Sequence, residues 1–314
     1  MVINKKRGDY FSQFINWFWL RPENALMVSL RAEKYAETLK YFDQDSSIDV
    51  SCGDGVFSFV TLGGEISTSS DMFRSVNLNK DRYGNFDTFD HFDETYFVEV
   101  ARHADYQYTV GSDWKDNLLK KSEKLGFYKN LLLHDNNKKF EFGSDKFGYV
   151  YSNSAYWINN FEEHLKDLER ITKPGGYIVL EMKTDKIKEY NSLNYGINII
   201  GHDAAALLDA GRLSTWKGLK SLTEIDDILA NLQNCEVINR TPIYGDYLGY
   251  MWDVGLRPIF KPLAKMVSLM SDVSRSEVKA EMSEIFTTLG SQVLEKYEAN
   301  EATAMEWLYV IRKK

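Results

Sequence analysis

Short apolar runs that end in polar residues recur along the chain, and most are followed by apolar residues at helical spacing. Ile48 and Val50 open the first run, which breaks at the Gly-containing turn of IDVSCGDG before an apolar stretch from Val56 to Leu62. That pattern predicts strand, tight loop and helix. YTVGSDW (Tyr108 to Trp114), NLLLHDNN (Asn130 to Asn137), FGYVYSNSAYWI (Phe147 to Ile158) and ITKPGGYIVLEM (Ile171 to Met182) each read as a strand with polar residues at one end. Between them, Leu118, Leu119 and Leu125 mark a helix that Gly126 closes. Phe161, Leu165, Leu168 and Ile171 mark another, with Asn160 and Glu163 spaced as a cap, and Pro174 to Gly176 read as a turn into the fifth strand. Strands alternating with helices point to an α/β sheet.

Outside this alternation the pattern changes. An aromatic cluster (Tyr10, Phe11, Phe14, Trp17, Phe18, Trp19) leads to Pro22 and then to Val28, Ala32, Tyr35, Leu39 and Phe42 on one helical face. Such helices pack on a sheet or cap its crevice; lying on a membrane surface is the alternative. Ser221 and Glu224 have capping-box spacing before Ile225, Ile228, Leu229 and Leu232, Cys235 to Thr241 read as a sixth strand, Met266 to Tyr297 as helix, and Trp307 to Ile311 as the last strand. Three stretches, at about 64–106, 184–220 and 243–303, fit no strand–helix alternation and read as insertions.

The turn after the first strand carries the clearest chemistry. Gly53 and Gly55 lack a β-carbon, so the backbone can turn sharply and a ligand can approach main-chain N–H groups at the start of the next helix. Composition narrows the ligand. A net charge of -8, with no basic block among aromatics, disfavours nucleic acid. Two cysteines far apart, Cys52 and Cys235, suggest neither a disulfide framework nor a zinc site, and a cytoplasmic location is expected. No apolar run approaches the ~20 residues that span a bilayer, so no integral membrane association is expected, and no signal peptide is expected in the amino-terminal residues, where Asp9, Gln13 and Asn16 interrupt the apolar run.

Taken in order, these features resemble the class I S-adenosylmethionine-dependent methyltransferases: Asp49 to Gly55 as the glycine loop, Gly111 to Asp113 as the second-strand acid, and Lys173 to Gly176 before the fifth strand. The resemblance spans about residues 47–182. It implies an α/β, Rossmann-like, seven-stranded and mostly parallel sheet with helices on both faces and the last strand antiparallel. An N-terminal helical cap (1–46) would precede a methyltransferase domain (47–314) that carries the insertions. The implied cofactor is S-adenosylmethionine, its methionine part over Ser51, Gly53 and Gly55 with Asp49 near its ammonium; Ser51 stands where the family has its first glycine. Asp113 suits the ribose, because two carboxylate oxygens can accept from both hydroxyls of a diol. Trp114 would lie against the adenine or else in the core, and Asp135 and Asn136 would read the adenine edge. Asn153 and Ser154, after the fourth strand, would meet the sulfonium region or the substrate, with Tyr156 and Trp157 as a wall.

Many members that deprotonate their substrate carry a His or an acid shortly after the fourth strand; residues 155–159 hold neither. The candidate bases are therefore His91, His103 and His202 in the inserted segments. The acidic residues around them, Asp87, Asp90, Asp93 and Glu94, read as a solvated or substrate-facing lobe, and no metal is expected. The implied reaction is methyl transfer to a small polar organic acceptor, such as a hydroxyl of a sugar, a nucleotide-linked intermediate or a secondary metabolite. Two alternatives stay open: a catalytically inactive, methyltransferase-like binding subunit, and an NAD-dependent oxidoreductase, whose fingerprint Gly53 and Gly55 begin but Ser58 interrupts.

Overall fold

The computed structural model describes residues 5–76, 90–153, 155–204, 218–254 and 260–314. Seven strands form the central sheet: β1 (Ser47–Val50), β2 (Val110–Asp113), β3 (Asn130–Leu133), β4 (Phe147–Ser152), β5 (Thr172–Lys183), β6 (Cys235–Gly245) and β7 (Ala304–Lys313). Their order is β3-β2-β1-β4-β5-β7-β6. The first five run parallel, and β7 lies antiparallel between β5 and β6, so the expected mostly parallel Rossmann-like sheet is present. Because β1 is paired on both edges and covered on both faces, all four of its residues are buried.

Alternation along the strands sends side chains into two cores. Ile48, Val50, Val150, Ile178, Leu180, Trp307, Tyr309 and Ile311 face one side with Leu165, Leu168, Ile225 and Leu229. Those last four come from α5 (Phe161–Ile171) and α7 (Leu222–Ala230). Tyr149, Tyr151, Val179, Leu308 and Val310 face the other side, under the helices α1 (Arg7–Trp17), α2 (Pro22–Ala36) and α3 (Val56–Thr61). The aromatics of the amino-terminal segment turn inward: Tyr10, Phe11, Phe14, Trp17 and Trp19 are all buried. Rings of this size remove ~150–250 Å² each from water. Phe18, the sixth of the cluster, is half-buried, and among the described residues no helix is long and apolar enough to cross a membrane.

The caps follow their sequence signals. Pro22 starts α2, Gly126 takes the left-handed conformation (φ 67°) after α4 (Asp116–Leu125), Asn160 accepts from Glu163 N at the start of α5, and Ser221 and Glu224 form the capping box of α7. Three expectations are corrected. Leu39 lies in a 3-10 turn (Leu39–Tyr41) beyond α2, and Phe42 follows that turn. Pro174 to Gly176 bulge from within β5 rather than leading into it, since Thr172 already pairs with Phe147. The helix expected over Met266 to Tyr297 is two, α9 (Phe260–Ser268) and α10 (Asp272–Lys296), because the Ser271 side chain caps a new start. The insertions also supply α6 (Ser192–Ile200), α8 (Asp246–Val254) and a two-stranded ribbon of Glu65–Ile66 with Val100–Arg102.

Candidate functional site

The strand order reverses direction at β1, with β2 on one side and β4 on the other, which opens a crevice beyond the carboxyl ends of these strands. Residues 51–55 turn at that crevice. Ser51 (φ 64°), Gly53 (φ 61°) and Gly55 (φ 81°) all adopt left-handed backbone. Ser51 thus takes the conformation that a glycine takes more cheaply, and its Oγ accepts from Asn136 Nδ2 at 2.7 Å. The two glycines have different reasons. A β-carbon on Gly55 would stand 2.8 Å from the Tyr128 ring and 2.9 Å from Ser122 Oγ, whereas one on Gly53 would meet nothing within 4 Å. Gly55 serves close packing; Gly53 faces open space.

Asp113 ends β2 and is fastened to this loop. Its Oδ2 accepts from Gly53 N at 3.0 Å and its Oδ1 from Lys115 N at 2.9 Å. Burial pushes its carboxyl up, with those N–H groups pulling back. Trp114, next along, is 65% exposed, so it is not core. Its ring carries the Lys115 ammonium at 5.4 Å.

Asp49 lies beneath the loop, 1% exposed. Its Oδ2 accepts from Ser58 Oγ at 2.5 Å and from the Tyr128 hydroxyl at 2.6 Å, while Oδ1 is buried with no partner among the described residues. Burial raises this carboxyl to about 6, against the pull of Ser58 and Tyr128. Asp135 folds back on its own turn, accepting from Asn137 N and Asn137 Nδ2 at 3.0 Å each. Asn136 Oδ1 is buried without a partner among the described residues. Asn153 is half-buried after β4, and Ser154 lies outside the described residues, as does Asp87.

The three candidate bases are not brought together. Asp90 pairs with Lys115 at 2.8 Å, which carries its neighbour His91 towards the end of β2; His91 Nε2 stands 2.7 Å from Asp93 Oδ2. His103 is exposed and follows the ribbon at the far end of α3, where Asp105 N donates to Leu62 O at 2.8 Å. His202 is exposed beside Asp203 at 3.5 Å.

The sequence analysis missed a charged cluster at the carboxyl end of β5. Glu181 is fully buried; its Oε2 accepts from the Tyr151 hydroxyl at 2.9 Å. Arg31 of α2 holds Glu306 of β7 through both carboxylate oxygens. Burial, foremost, raises Glu181 to about 8, with Arg31 opposing and Glu306 adding. The unfolded chain releases that proton near 4.5, so the folded state binds the extra proton between these values and loses stability as pH rises towards 8. Urea unfolding midpoints are expected to fall between about pH 6.5 and 8, and Glu181→Gln to flatten that fall. The available signal was charge inside apolar strand runs, as in YIVLEMK and MEWLYVI.

No protein-family model matches the chain, and no curated protein does. Solved structures do. An S-adenosylmethionine-dependent methyltransferase from Thermotoga maritima is 13% identical with a TM-score of 0.46, over 98% of this chain and 100% of that one. Geranyl diphosphate C-methyltransferase from Streptomyces coelicolor A3(2), solved with Mg2+, geranyl diphosphate and S-adenosyl-L-homocysteine, is 10% identical with a TM-score of 0.46, over 94% and 84%. The [4+2]-cyclase SpnF is 10% identical with a TM-score of 0.45, over 91% and 81%. At such identities these are likenesses of chain path and assign no residue its role.

Proposed function

We propose that the protein is an S-adenosylmethionine-dependent methyltransferase acting on a small polar organic acceptor, with transfer to a hydroxyl oxygen of a sugar, nucleotide-linked or secondary-metabolite substrate as the finer reading. The observation that carries it is the tie between Gly53 N and Asp113 Oδ2 at the crevice, which holds the glycine loop and the second-strand acid as one unit. The residues fit the cofactor. The Asp113 carboxylate, with about four lone-pair sites, has capacity left for a ribose hydroxyl beyond its backbone N–H partners. The open side of Gly53 admits the ligand against main-chain atoms, and the unpartnered Asp49 Oδ1 is an acceptor for an ammonium. Asn136 Oδ1 and Asp135 at the end of β3 would meet the adenine edge, and the exposed Trp114 offers its ring a face.

When bound, the cofactor supplies a methyl group on a sulfonium, open to in-line displacement. The chain's work is alignment and exclusion of water, with Asn153 and Ser154 next to the reacting centre. His91, oriented by Asp93, would take the proton of a hydroxyl acceptor; His103 and His202 rank behind it because both are exposed. Residues 1–46 would act as the cap and residues 47–314 as the catalytic domain with its insertions. The geometry favours this reading over a dinucleotide-dependent oxidoreductase. Ser58, at the third fingerprint position, is buried and bonded to Asp49, and β7 interrupts the six-stranded order of that fold.

Isothermal titration calorimetry with S-adenosylmethionine and S-adenosylhomocysteine tests the proposal. Both ligands are expected to bind, and Asp113→Ala to weaken them about a hundredfold, as fits the loss of two charge-assisted hydrogen bonds. Absence of heat at millimolar ligand would sink it.

A further inference from the structure

Two strands from the glycine loop, the sheet carries a second set of charged groups. Glu181 and Lys183 end β5 on the face turned to α2, and β7, running the other way, sets Glu306 opposite Lys183. Arg31 clamps Glu306, its Nη2 donating to Oε2 at 2.8 Å, and the Tyr244 hydroxyl donates to the same carboxylate. Burial pushes Glu306 up, but Arg31 and then Lys183 outweigh it and hold the carboxyl at about 2. Its charge is matched by Arg31.

Lys183 is differently placed. The residue is 8% exposed, and its ammonium donates to the Tyr156 hydroxyl at 3.1 Å. It stands 3.6 Å from Glu306 Oε2, with the rings of Tyr156 and Trp252 at 4.8 and 5.7 Å. Among the described residues no further oxygen meets this ammonium. Burial pushes the Glu181 carboxyl up, and its Oε1 is buried with no partner among the described residues. Glu306 already takes Arg31 on both oxygens and the Tyr244 hydroxyl, and Lys183 at 3.6 Å lies beyond hydrogen-bond distance of it. A buried ammonium with N–H groups left over is costly unless an acceptor joins it.

We propose that Lys183, Tyr156 and Trp252 form an acceptor subsite that takes the carboxylate of a small aromatic or otherwise planar acid. The ammonium supplies charge and one N–H, and the Tyr156 hydroxyl, which accepts from the ammonium, keeps its own O–H to donate. Two donors thus face the two oxygens of a carboxylate. Trp252 and the 54% exposed Trp157 add flat apolar surface. A dianionic phosphate is matched less well, because Arg31 is already engaged by Glu306. The distance suits an acceptor. Val50, Ser152 and Leu180 lie level across β1, β4 and β5, which places β5 about 10 Å from β1, and Lys183 about 10 Å further along the strand direction. The word acceptor rests on the methyltransferase reading; the anion site does not.

Titrating sodium benzoate, and benzamide as its uncharged counterpart, into the full chain at neutral pH tests this, read by heat and tryptophan fluorescence with and without S-adenosylhomocysteine. Benzoate is expected to bind about tenfold more tightly than benzamide, Lys183→Met to erase that preference with S-adenosylhomocysteine affinity unchanged, and Tyr156→Phe to reduce it several-fold. Equal binding of the two probes, no benzoate binding, or an unchanged preference in folded Lys183→Met would overturn the proposal. If Lys183→Met does not fold, Tyr156→Phe decides: an unaltered benzoate affinity overturns it. Benzoate binding without S-adenosylhomocysteine binding supports the anion site and removes the methyltransferase reading; the converse result does the opposite.

Discussion

Arg31→Met is expected to lower the stability of the fold by about 3–5 kcal/mol, the usual cost of leaving one member of a buried ion pair uncompensated. Arg31 is the main counter-charge of Glu306, whose side chain is 1% exposed, and it also stands 3.7 Å from Glu181. Without it, Glu306 must give up its depressed carboxyl or remain ionised against Lys183 alone. Urea unfolding at neutral pH measures the loss. The same measurement on Arg31→Met combined with Glu306→Gln should recover much of it, because the double variant leaves no unmatched carboxylate. A shift below about 1 kcal/mol in the single variant would mean that solvent reaches Glu306 and that the cluster is not the closed unit described above.

Gly55→Ala is expected to cost about 2–5 kcal/mol, and Gly53→Ala about 1–2 kcal/mol. Both positions have left-handed backbone, so both variants bear the same conformational penalty. Only at Gly55 does the new methyl group collide, with the Tyr128 ring and Ser122 Oγ. The ligand should reverse the ranking. Gly53 faces open space, so Gly53→Ala should weaken S-adenosylhomocysteine binding about tenfold or more while the protein stays folded. Thermal unfolding in the presence and absence of the ligand separates the two effects. Equal destabilisation by both variants would contradict the packing role of Gly55.

Much of the sheet was legible because parallel strands covered on both faces read as short apolar runs with polar ends, as β1, β2 and β4 do, and the more exposed edge strand β3 keeps the same pattern. The glycine loop was legible as a loop. That Ser51 would accept φ 64° was not, since nothing local compels a serine into that region and the compensating bond comes from Asn136, far along the chain. The Pro174 to Gly176 bulge misled for a similar reason: turn chemistry marks a change of direction, but pairing of Thr172 with Phe147 is decided by the neighbouring strand. The charged cluster escaped notice altogether. Its members come from α2, β5 and β7, and although Glu181 and Glu306 stand inside apolar runs, nothing local names the cation that meets them.

The position of β7 bears on how the molecule is made. On the ribosome, β5 emerges with one edge already matched by β4, but the strand that covers its other edge is β7. All of residues 184–303 must be synthesised before that cover arrives. During this interval the nascent chain presents an open, largely apolar β edge, the kind of surface that invites pairing with other chains. Newly made protein should therefore depend on chaperone shielding until its final strand slots into place.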